Sequence, residues 1–469
     1  MQDHDLIDIQ EVAPAEVGEI DLYERREKIY TRKIEGFFQR VRLFTGWPLL
    51  LGYFLLPWFN WDGRQAVLFD LPARKFHILG LTFWPQDFPL LAFLLIIAAF
   101  TLFAVTVVAG RIWCGYTCPQ TVWTSIFMWL EQKAEGSRNQ RIKRDQGPWT
   151  ADKAIRKCIK HTSWLFVAFA TGMTFVGYFY PIKDLAFELG TLSTGMWQLS
   201  WTVFFTLATY INAGWMREQV CKYMCPYARF QSVMFDQDTL IVSYDPGRGE
   251  TRGSRKRGAD YRASGLGDCI DCELCVQVCP TGIDIRDGLQ YECIGCALCI
   301  DACNSVMDKM DYPRGLIRYT SEHELEGKTT HWLRPRIIGY VVVLALMLGV
   351  FSYNIIGRTP LELTVIRDRN QLYVETDSGH IENIYRLQLV NMDKEMHEFE
   401  IGIEGLEGAE IVGETLHTLD GGEVSSISLR IRIAPSALDK PSSEFRFEAR
   451  ATDRPTLETS SESRFLRPM

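Results

Sequence analysis

The sequence predicts a membrane protein of several domains: an α-helical transmembrane bundle of five spans, an α+β dicluster ferredoxin module and a C-terminal all-β immunoglobulin-like sandwich. Three observations predict this architecture. Eight of the 13 cysteines form two tightly spaced runs, five apolar stretches approach the length of a membrane span, and the C-terminal part alternates polar and apolar residues. A length of 469 residues is typical of about three structural units.

The two cysteine runs carry the most specific signal. The first reads C-x2-C-x2-C-x3-C-P, and the second repeats that spacing with Asn304 after its last cysteine. In this pattern three thiolates bind one [4Fe–4S] cluster and the fourth ligates the other cluster. The predicted ligands are Cys269, Cys272, Cys275 and Cys303 for the first cluster, and Cys293, Cys296, Cys299 and Cys279 for the second. A zinc site or disulfides are the alternatives, but zinc sites more often use two CxxC pairs.

Five apolar stretches predict the membrane spans. The first contains Pro48 and Pro57 and is the weakest, whereas the second and the fifth are continuous. The stretches are Leu43–Phe59, Phe88–Ile112, Ser163–Tyr180, Met196–Met216 and Ile337–Ile356.

The distribution of lysine and arginine predicts the orientation of these spans. Basic residues crowd the segment before the first span, the loop 133–160 and the segment 248–262, whereas the loop between spans three and four has only Lys183. The N-terminus and the cluster module are therefore expected in the cytoplasm, and everything after the fifth span in the periplasm. Next to membrane spans, the basic runs favour this topology over nucleic-acid binding. The first 36 residues have no apolar core, so no cleavable signal peptide is expected.

The distribution of cysteine agrees with that topology. No cysteine follows Cys303, so all of them fall in the membrane or predicted cytoplasmic parts. A reducing compartment keeps such thiols available for metal, whereas exported cysteines would be expected to pair.

A second cysteine pattern is an internal repeat. Residues 114–119 read CGYTCP and residues 221–226 read CKYMCP, at a constant offset of 107 from position 114 to position 221. The repeat predicts two duplicated halves that share one site at the membrane surface, with both cysteines of each motif on one helix face at i and i+4. Such a site could hold Cu(I), zinc or an iron–sulfur cluster, act as a redox dithiol, or consist of buried cysteines without chemistry. Its residues are Cys114, Cys118, Cys221 and Cys225.

These motifs resemble the FixG/CcoG family of membrane polyferredoxins. The two CxxxCP motifs, the paired runs, the five spans, the exported C-terminal domain and the stretch LFDLPARKFHILGLTFWPQDF (residues 68–88) carry the resemblance over nearly the whole chain. It implies a role in assembling cbb-type cytochrome c oxidase at the bacterial inner membrane, by reduction of Cu(II) to Cu(I) on the cytoplasmic side. The four CxxxCP cysteines are then the candidate catalytic copper site. The implied partners are a copper chaperone or copper-exporting ATPase, oxidase assembly factors and an electron donor.

Two other functional classes stay open. The chain could be a quinol dehydrogenase subunit that feeds electrons to a partner, or a non-enzymatic assembly scaffold or redox sensor, and self-association is open in each case. Met216 and Met224 could add thioether ligands to copper. His161, His331 and Cys158 are interpreted as structural.

The C-terminal domain is predicted to contain about seven short strands in an immunoglobulin-type sandwich with a docking role. The strand segments are Leu361–Ile366, Ile384–Asn391, Glu398–Ile403, Val424–Ile433 and Phe445–Ala451, with further strands unassigned. The predicted domains are an N-terminal arm (1–36), a four-helix membrane domain (37–235), a ferredoxin-like domain (236–335), the fifth span (336–357) and the β-sandwich (358–469).

Overall fold

The computed structural model describes residues 28–368, 372–438 and 440–467. The chain forms two compact units, one up to Leu71 and from Ala99 to Tyr340, the other comprising Pro72–Ala98 and the residues from Val341 onward. The predicted boundaries instead keep residues 37–235 together. Most of the predicted N-terminal arm, residues 1–27, lies outside the described residues.

Helices dominate the first unit, and α2 and α14 each contain a boundary between the two units. The α-helices of the described chain are α1 (Phe37–Leu55), α2 (Phe88–Ala109), α3 (Ile112–Tyr116), α4 (Pro119–Glu135), α5 (Arg138–Gln146), α6 (Ala151–Val176), α7 (Ile182–Thr191), α8 (Met196–Thr209), α9 (Pro226–Met234), α10 (Pro246–Gly249), α11 (Leu274–Val278), α12 (Leu298–Met310), α13 (Glu322–Leu325) and α14 (Pro335–Ile356).

Two helical segments are long and apolar enough to cross a membrane. They are Pro85–Ala109 and Pro335–Ile356, with mean hydropathies of 2.8 and 2.0 over their most apolar windows. The other three predicted spans are helical but do not meet this criterion among the described residues, so the five-span bundle is not confirmed. Helix α1 contains two arginines, α6 begins with lysine-rich turns, and α8 has only 14 residues before a π-helical segment, Tyr210–Met216.

The eight run cysteines lie between two short strands of an α+β module. Strands β6 (Ile241–Tyr244) and β7 (Ile317–Thr320) pair antiparallel. Helices α11 and α12 lie between them along the chain, and Ile300, Met307 and Leu316 are part of the buried core. The module falls within the range 236–335 that the sequence predicts.

The C-terminal domain is a sandwich of two antiparallel sheets, which confirms the all-β prediction. One sheet has the order β12-β14-β10-β8 with β9 beside β10, and the other has the order β13-β11-β15-β16. Apolar side chains of both sheets, among them Tyr385, Phe399, Leu429 and Phe447, fill one core. The strands are β8 (Leu361–Arg367), β9 (Val374–Glu375), β10 (Ile381–Asn391), β11 (His397–Glu404), β12 (Glu410–Val412), β13 (Leu416–Leu419), β14 (Val424–Ile433), β15 (Ser442–Ala451) and β16 (Glu458–Leu466).

Residues 60–83 form short strands that the sequence does not predict. Strands β4 and β5 form a hairpin in which Phe76 pairs with Phe83. Within the second unit, Lys75 Nζ donates to the Gly422 carbonyl at 2.9 Å, so the β4–β5 hairpin packs on the C-terminal domain. The strands are β1 (Asn60–Trp61), β2 (Arg64–Gln65), β3 (Val67–Asp70), β4 (Lys75–Ile78) and β5 (Leu81–Phe83).

Candidate metal centres

The fourth cysteine of each run lies beside the other run. One pocket is lined by Cys269, Cys272, Cys275 and Cys303. A second pocket is lined by Cys279, Cys293, Cys296 and Cys299, and also by Cys275 of the first pocket. This placement is what crossed ligation requires, because each pocket contains the first three cysteines of one run and the fourth cysteine of the other. Four convergent thiols are the donor set of a [4Fe–4S] cluster.

The backbone of both runs has the same unusual conformation. Asp271 and Glu273 have positive φ angles of 55° and 54°, and Gly295 and Ala297, at the matching positions, have 65° and 59°. Left-handed residues that alternate in a short loop turn backbone N–H groups toward one point, which suits anionic iron–sulfur clusters. In the second run the Gly295 N–H lies 3.5 Å from Cys293 Sγ.

Burial disfavours the free thiolates of these pockets. Desolvation raises the pKa of Cys275, Cys293 and Cys303 to about 12, and it raises the pKa of Cys299 well above its ordinary value. Buried thiols therefore stay neutral at pH 7 unless a cation compensates the charge. Metal ligation needs thiolates, so loading of these pockets releases protons and stabilises the fold.

The CxxxCP motifs do not form the continuous helical turns that the spacing predicts. Cys114 lies in the short helix α3, whereas Cys118 caps α4, whose first residue is Pro119. In the second motif Cys221 lies in a π-helical segment, Val220–Met224, and Cys225 caps α9 before Pro226. The i, i+4 prediction is wrong because proline is favoured at the first position of a helix and begins a new one there.

The four CxxxCP cysteines nevertheless come close together. Burial, together with the charges of other motif cysteines, raises the pKa of Cys114 and Cys221 to about 12. Cys114 Sγ also lies 3.4 Å from the Gln231 side-chain oxygen on α9, which joins the first motif to the helix that follows the second.

The first CxxxCP motif packs directly on the second ferredoxin run. A Cβ atom on Gly115 would lie 2.8 Å from the Gly295 carbonyl oxygen and 2.9 Å from Cys296 Cα, closer than real Cβ contacts. Cys114 and Cys221 both pack against a group of buried apolar side chains that includes Ile294 and Cys296. The CxxxCP site and the second four-cysteine pocket are therefore neighbours in one unit.

Arg111 ties three segments together at this junction. Its side chain is buried and donates to the Ala228 carbonyl at 2.6 Å, to the Cys293 carbonyl at 3.2 Å and to the Tyr291 carbonyl. One cation thus joins the end of the second predicted span, the ferredoxin run and the helix after the second motif. The sequence analysis missed it, although an arginine three residues before Cys114 is an available signal.

Comparison with known proteins identifies the family. The chain is 39% identical over 441 residues to the nitrogen fixation protein FixG of Rhizobium meliloti, covering 86% of this chain and 84% of the relative. The chain belongs to the FixG family. Protein RdxA of Cereibacter sphaeroides is 40% identical over 403 residues, with 82% and 84% covered. The FixG-like resemblance read from the sequence is thereby confirmed.

Three domain families match separate parts of the FixG-type chain. Residues 216–322 match a 4Fe-4S dicluster domain, residues 91–136 a 4Fe-4S binding domain, and residues 351–468 the IG-like fold at the C-terminal of FixG. The chain is thus an iron–sulfur electron-transfer protein with an immunoglobulin-like domain. A crystal structure of a FixG-related protein from Vibrio parahaemolyticus aligns with 26% identity and a TM-score of 0.22, over 24% of this chain and 98% of that one.

The remaining predicted residues of this FixG-family chain lie as follows. His161 Nδ1 is 2.8 Å from the Tyr210 hydroxyl, among aromatic rings. Cys158 is exposed. Met224 is exposed at the end of its π-helical segment, and Met216 ends the preceding one. His331, interpreted from sequence as structural, lies beside Asp238 and His323, a grouping that the sequence analysis missed.

Proposed function

We propose that this chain reduces Cu(II) to Cu(I) at Cys114, Cys118, Cys221 and Cys225, using electrons stored in its ferredoxin module, for assembly of a cbb-type cytochrome c oxidase. The packing of Gly115 on Cys296 is the observation that carries the proposal, because it joins the CxxxCP site to a cluster pocket. When bound, the two [4Fe–4S] clusters supply one electron each. Each Cu(II) ion takes one electron and becomes Cu(I), and an external one-electron donor replaces that electron.

The residues of the site suit both ends of this reaction. Soft thiolates favour Cu(I) over Cu(II), so the four cysteines stabilise the product. Cys118 and Cys225 cap helices α4 and α9, where the positive end of the helix dipole favours negative charge. Arg111 adds a fixed positive charge that lowers the pKa of Cys114 and Cys221 against the opposing effect of burial.

The proposal includes five membrane spans, with the cluster module in the cytoplasm and the C-terminal domain in the periplasm. Helices α1, α6 and α8 support it, because each exposes large apolar side chains such as Phe44, Phe166 and Trp197, which are 72–79% exposed. Apolar surface of this extent on a soluble protein marks a membrane or protein contact. Copper carriers on the cytoplasmic side and oxidase assembly factors are the proposed partners.

A third iron–sulfur cluster at the CxxxCP cysteines is the second candidate. The match of residues 91–136, which include Cys114 and Cys118, to a 4Fe-4S binding domain favours it. The two candidates differ in iron content, since two clusters carry about eight iron atoms per chain and three carry about twelve.

Serine variants test the proposal. The change of all four CxxxCP cysteines to serine removes the soft ligands and leaves the eight run cysteines in place. We expect about eight iron atoms per chain in both proteins, and at least tenfold weaker Cu(I) binding in the variant. Cys158→Ser, a change of an exposed cysteine outside both motifs, is the control and should bind copper normally. About twelve iron atoms in the unmodified protein and eight in the variant would establish the third-cluster function instead.

A further inference from the structure

Three side chains of the first unit form a cluster that the CxxxCP site does not include. The donor atoms of Asp238, His323 and His331 all lie within 4.8 Å of one another. His323 Nδ1 is 2.9 Å and His331 Nδ1 is 3.4 Å from Asp238 Oδ1. Two imidazoles and one carboxylate thus converge on one point.

The fold holds these residues in place through backbone contacts. Asp238 lies in the turn between α9 and β6, where Thr239 Oγ1 donates to the Val107 carbonyl at 2.9 Å. His323 lies on α13, and its N–H donates to the Gln237 carbonyl at 3.1 Å. The backbone N–H of His331 donates to Asp238 Oδ1 at 2.9 Å. Three separate segments are therefore fixed around the carboxylate before any ligand binds.

The spacing of the donors fits a small divalent ion. In the square-planar or tetragonal geometry that Cu(II) prefers, metal–ligand bonds of about 2.0 Å place neighbouring donor atoms about 2.8 Å apart. The separation of 2.9 Å between His323 and Asp238 lies near that value, and the 3.4 Å between His331 and Asp238 needs to shorten by only about half an ångström. The side chain of His331 is 66% exposed, which leaves access from solvent.

Two carboxylates, Asp236 and Asp238, and two arginines set the charge beside this cluster. Arg334 approaches Asp238 Oδ2 to 3.8 Å, but its guanidinium also pairs with Asp236 and donates to the Val107 carbonyl at 2.8 Å. Arg336 Nη1 also lies 3.7 Å from Asp236 Oδ2, so both arginines pair mainly with Asp236 and the Asp238 carboxylate keeps its negative charge for a cation.

The donor chemistry separates this cluster from the cysteines. Imidazole and carboxylate suit Cu(II) and Zn(II), and Cu(II) binds most strongly in the divalent series, whereas thiolates favour Cu(I). A backbone hydrogen bond also joins the segment of Asp238 to the segment before the first CxxxCP motif: the Leu240 N–H donates to the Val108 carbonyl at 3.1 Å, and Val108 precedes Cys114 by six residues.

We propose that Asp238, His323 and His331 bind Cu(II) and form a receiving site from which the ion passes to the CxxxCP cysteines. This inference rests on the proposed copper reduction. The ion stays Cu(II) at this cluster, and its reduction belongs to the cysteine site.

Cu(II) binding to the full-length protein with oxidised clusters tests the inference. In the quadruple serine variant the thiolates are absent, so we expect one bound Cu(II) per chain whose electron paramagnetic resonance spectrum shows coupling to imidazole nitrogen. His331→Ala and, separately, His323→Gln should weaken that binding at least tenfold. His331 is exposed, so its replacement leaves the core intact, and retained iron content verifies folding.

His417→Ala, in the C-terminal domain, is the control and should bind Cu(II) as strongly as its parent. Undiminished nitrogen-coupled binding in both His331→Ala and His323→Gln would overturn the receiving site. That outcome differs from failure of the proposed function, in which the quadruple serine variant itself would bind Cu(I) and reduce Cu(II) as the unmodified protein does.

Discussion

The two CxxxCP halves share a sequence pattern but differ in what they contact. In the first half Gly115 touches the backbone of Cys296, and Cys114 lies in an α-helical turn. In the second half the matching residue is Lys222, which is partly exposed in a π-helical turn. A side chain at position 115 would separate the motif from the ferredoxin run, whereas the second half tolerates a long one. The duplication therefore produced one half that contacts the electron source and one half that completes the cysteine site.

A buried ion pair holds the second half against the first. Arg217, between the two π-helical segments, places Nη2 2.7 Å from Glu131 Oε2 on α4, the helix capped by Cys118. Arg141 Nη1 lies 3.2 Å from the same oxygen, and the Glu131 and Arg141 side chains are fully buried. The cost of burying these charges is offset only while the carboxylate stays ionised.

Gly115→Val should give the largest effect. The valine meets backbone atoms that cannot move aside, and overpacking of this kind costs about 1–3 kcal/mol. We expect copper reduction at least tenfold slower, because the first motif is pushed away from the second cluster pocket. Copper binding and iron content, measured in the same samples, should stay near those of the unmodified protein. An unchanged rate of copper reduction would mean that the Gly115 contact is not needed for electron transfer.

Glu131→Gln should mainly lower stability. Burial opposes ionisation of Glu131, but Arg217 and Arg141 reverse that effect and hold its pKa below the ordinary value. Loss of the carboxylate leaves two buried arginines uncompensated, which costs about 3–5 kcal/mol. We expect a clearly lower apparent Tm in detergent at pH 7.

The pH dependence of that difference gives a second measurement. A lowered pKa means that ionised Glu131 stabilises the fold above its unfolded-state pKa of about 4.3, and that this stabilisation is lost as the pH falls further. The Tm gap between the two proteins should therefore be full above pH 5 and shrink at more acidic pH. A Tm difference that does not change with pH would mean that Glu131→Gln lowers stability through altered packing rather than through loss of the charge.

Lys222→Val should give the smallest effect. Like Gly115→Val, this change places a valine at the second position of a CxxxCP motif. The side chain at position 222 is partly exposed, however, so the valine has room. We expect the copper reduction rate to change less than twofold. Equal losses in the two variants would mean that the halves are functionally equivalent.

The sequence predicted most of the fold where spacing or alternation dictates it. The strand Val424–Ile433 has the predicted bounds, because its alternate apolar residues face one core. Strand Glu458–Leu466 was missed, since most of its side chains are polar and its place depends on backbone pairing with β15. The hairpin of β4 and β5 was missed because it belongs with a domain distant in sequence.

In the candidate sites, too, the sequence predicted the features set by local spacing and missed those set by contacts between distant segments. Fixed spacing predicted which cysteines would converge, including the placement of Cys279 beside the second run. Contacts between segments distant in sequence could not be predicted, so the role of Arg111 and the grouping of His331 with Asp238 emerged only from the structure. The start of a new helix at Pro119 was predictable from the sequence, because proline is favoured at the first position of a helix.

The rate of copper reduction by pre-reduced protein tests the central claim most directly. Protein with reduced clusters, freed of reductant and mixed anaerobically with less than one equivalent of Cu(II), is followed by cluster absorbance and by a Cu(I)-selective chelator. We predict one Cu(I) formed for each cluster oxidised, at a rate at least tenfold higher than in the quadruple serine variant. Equal rates in the two proteins, with equal iron content, would contradict electron transfer to copper at the CxxxCP cysteines.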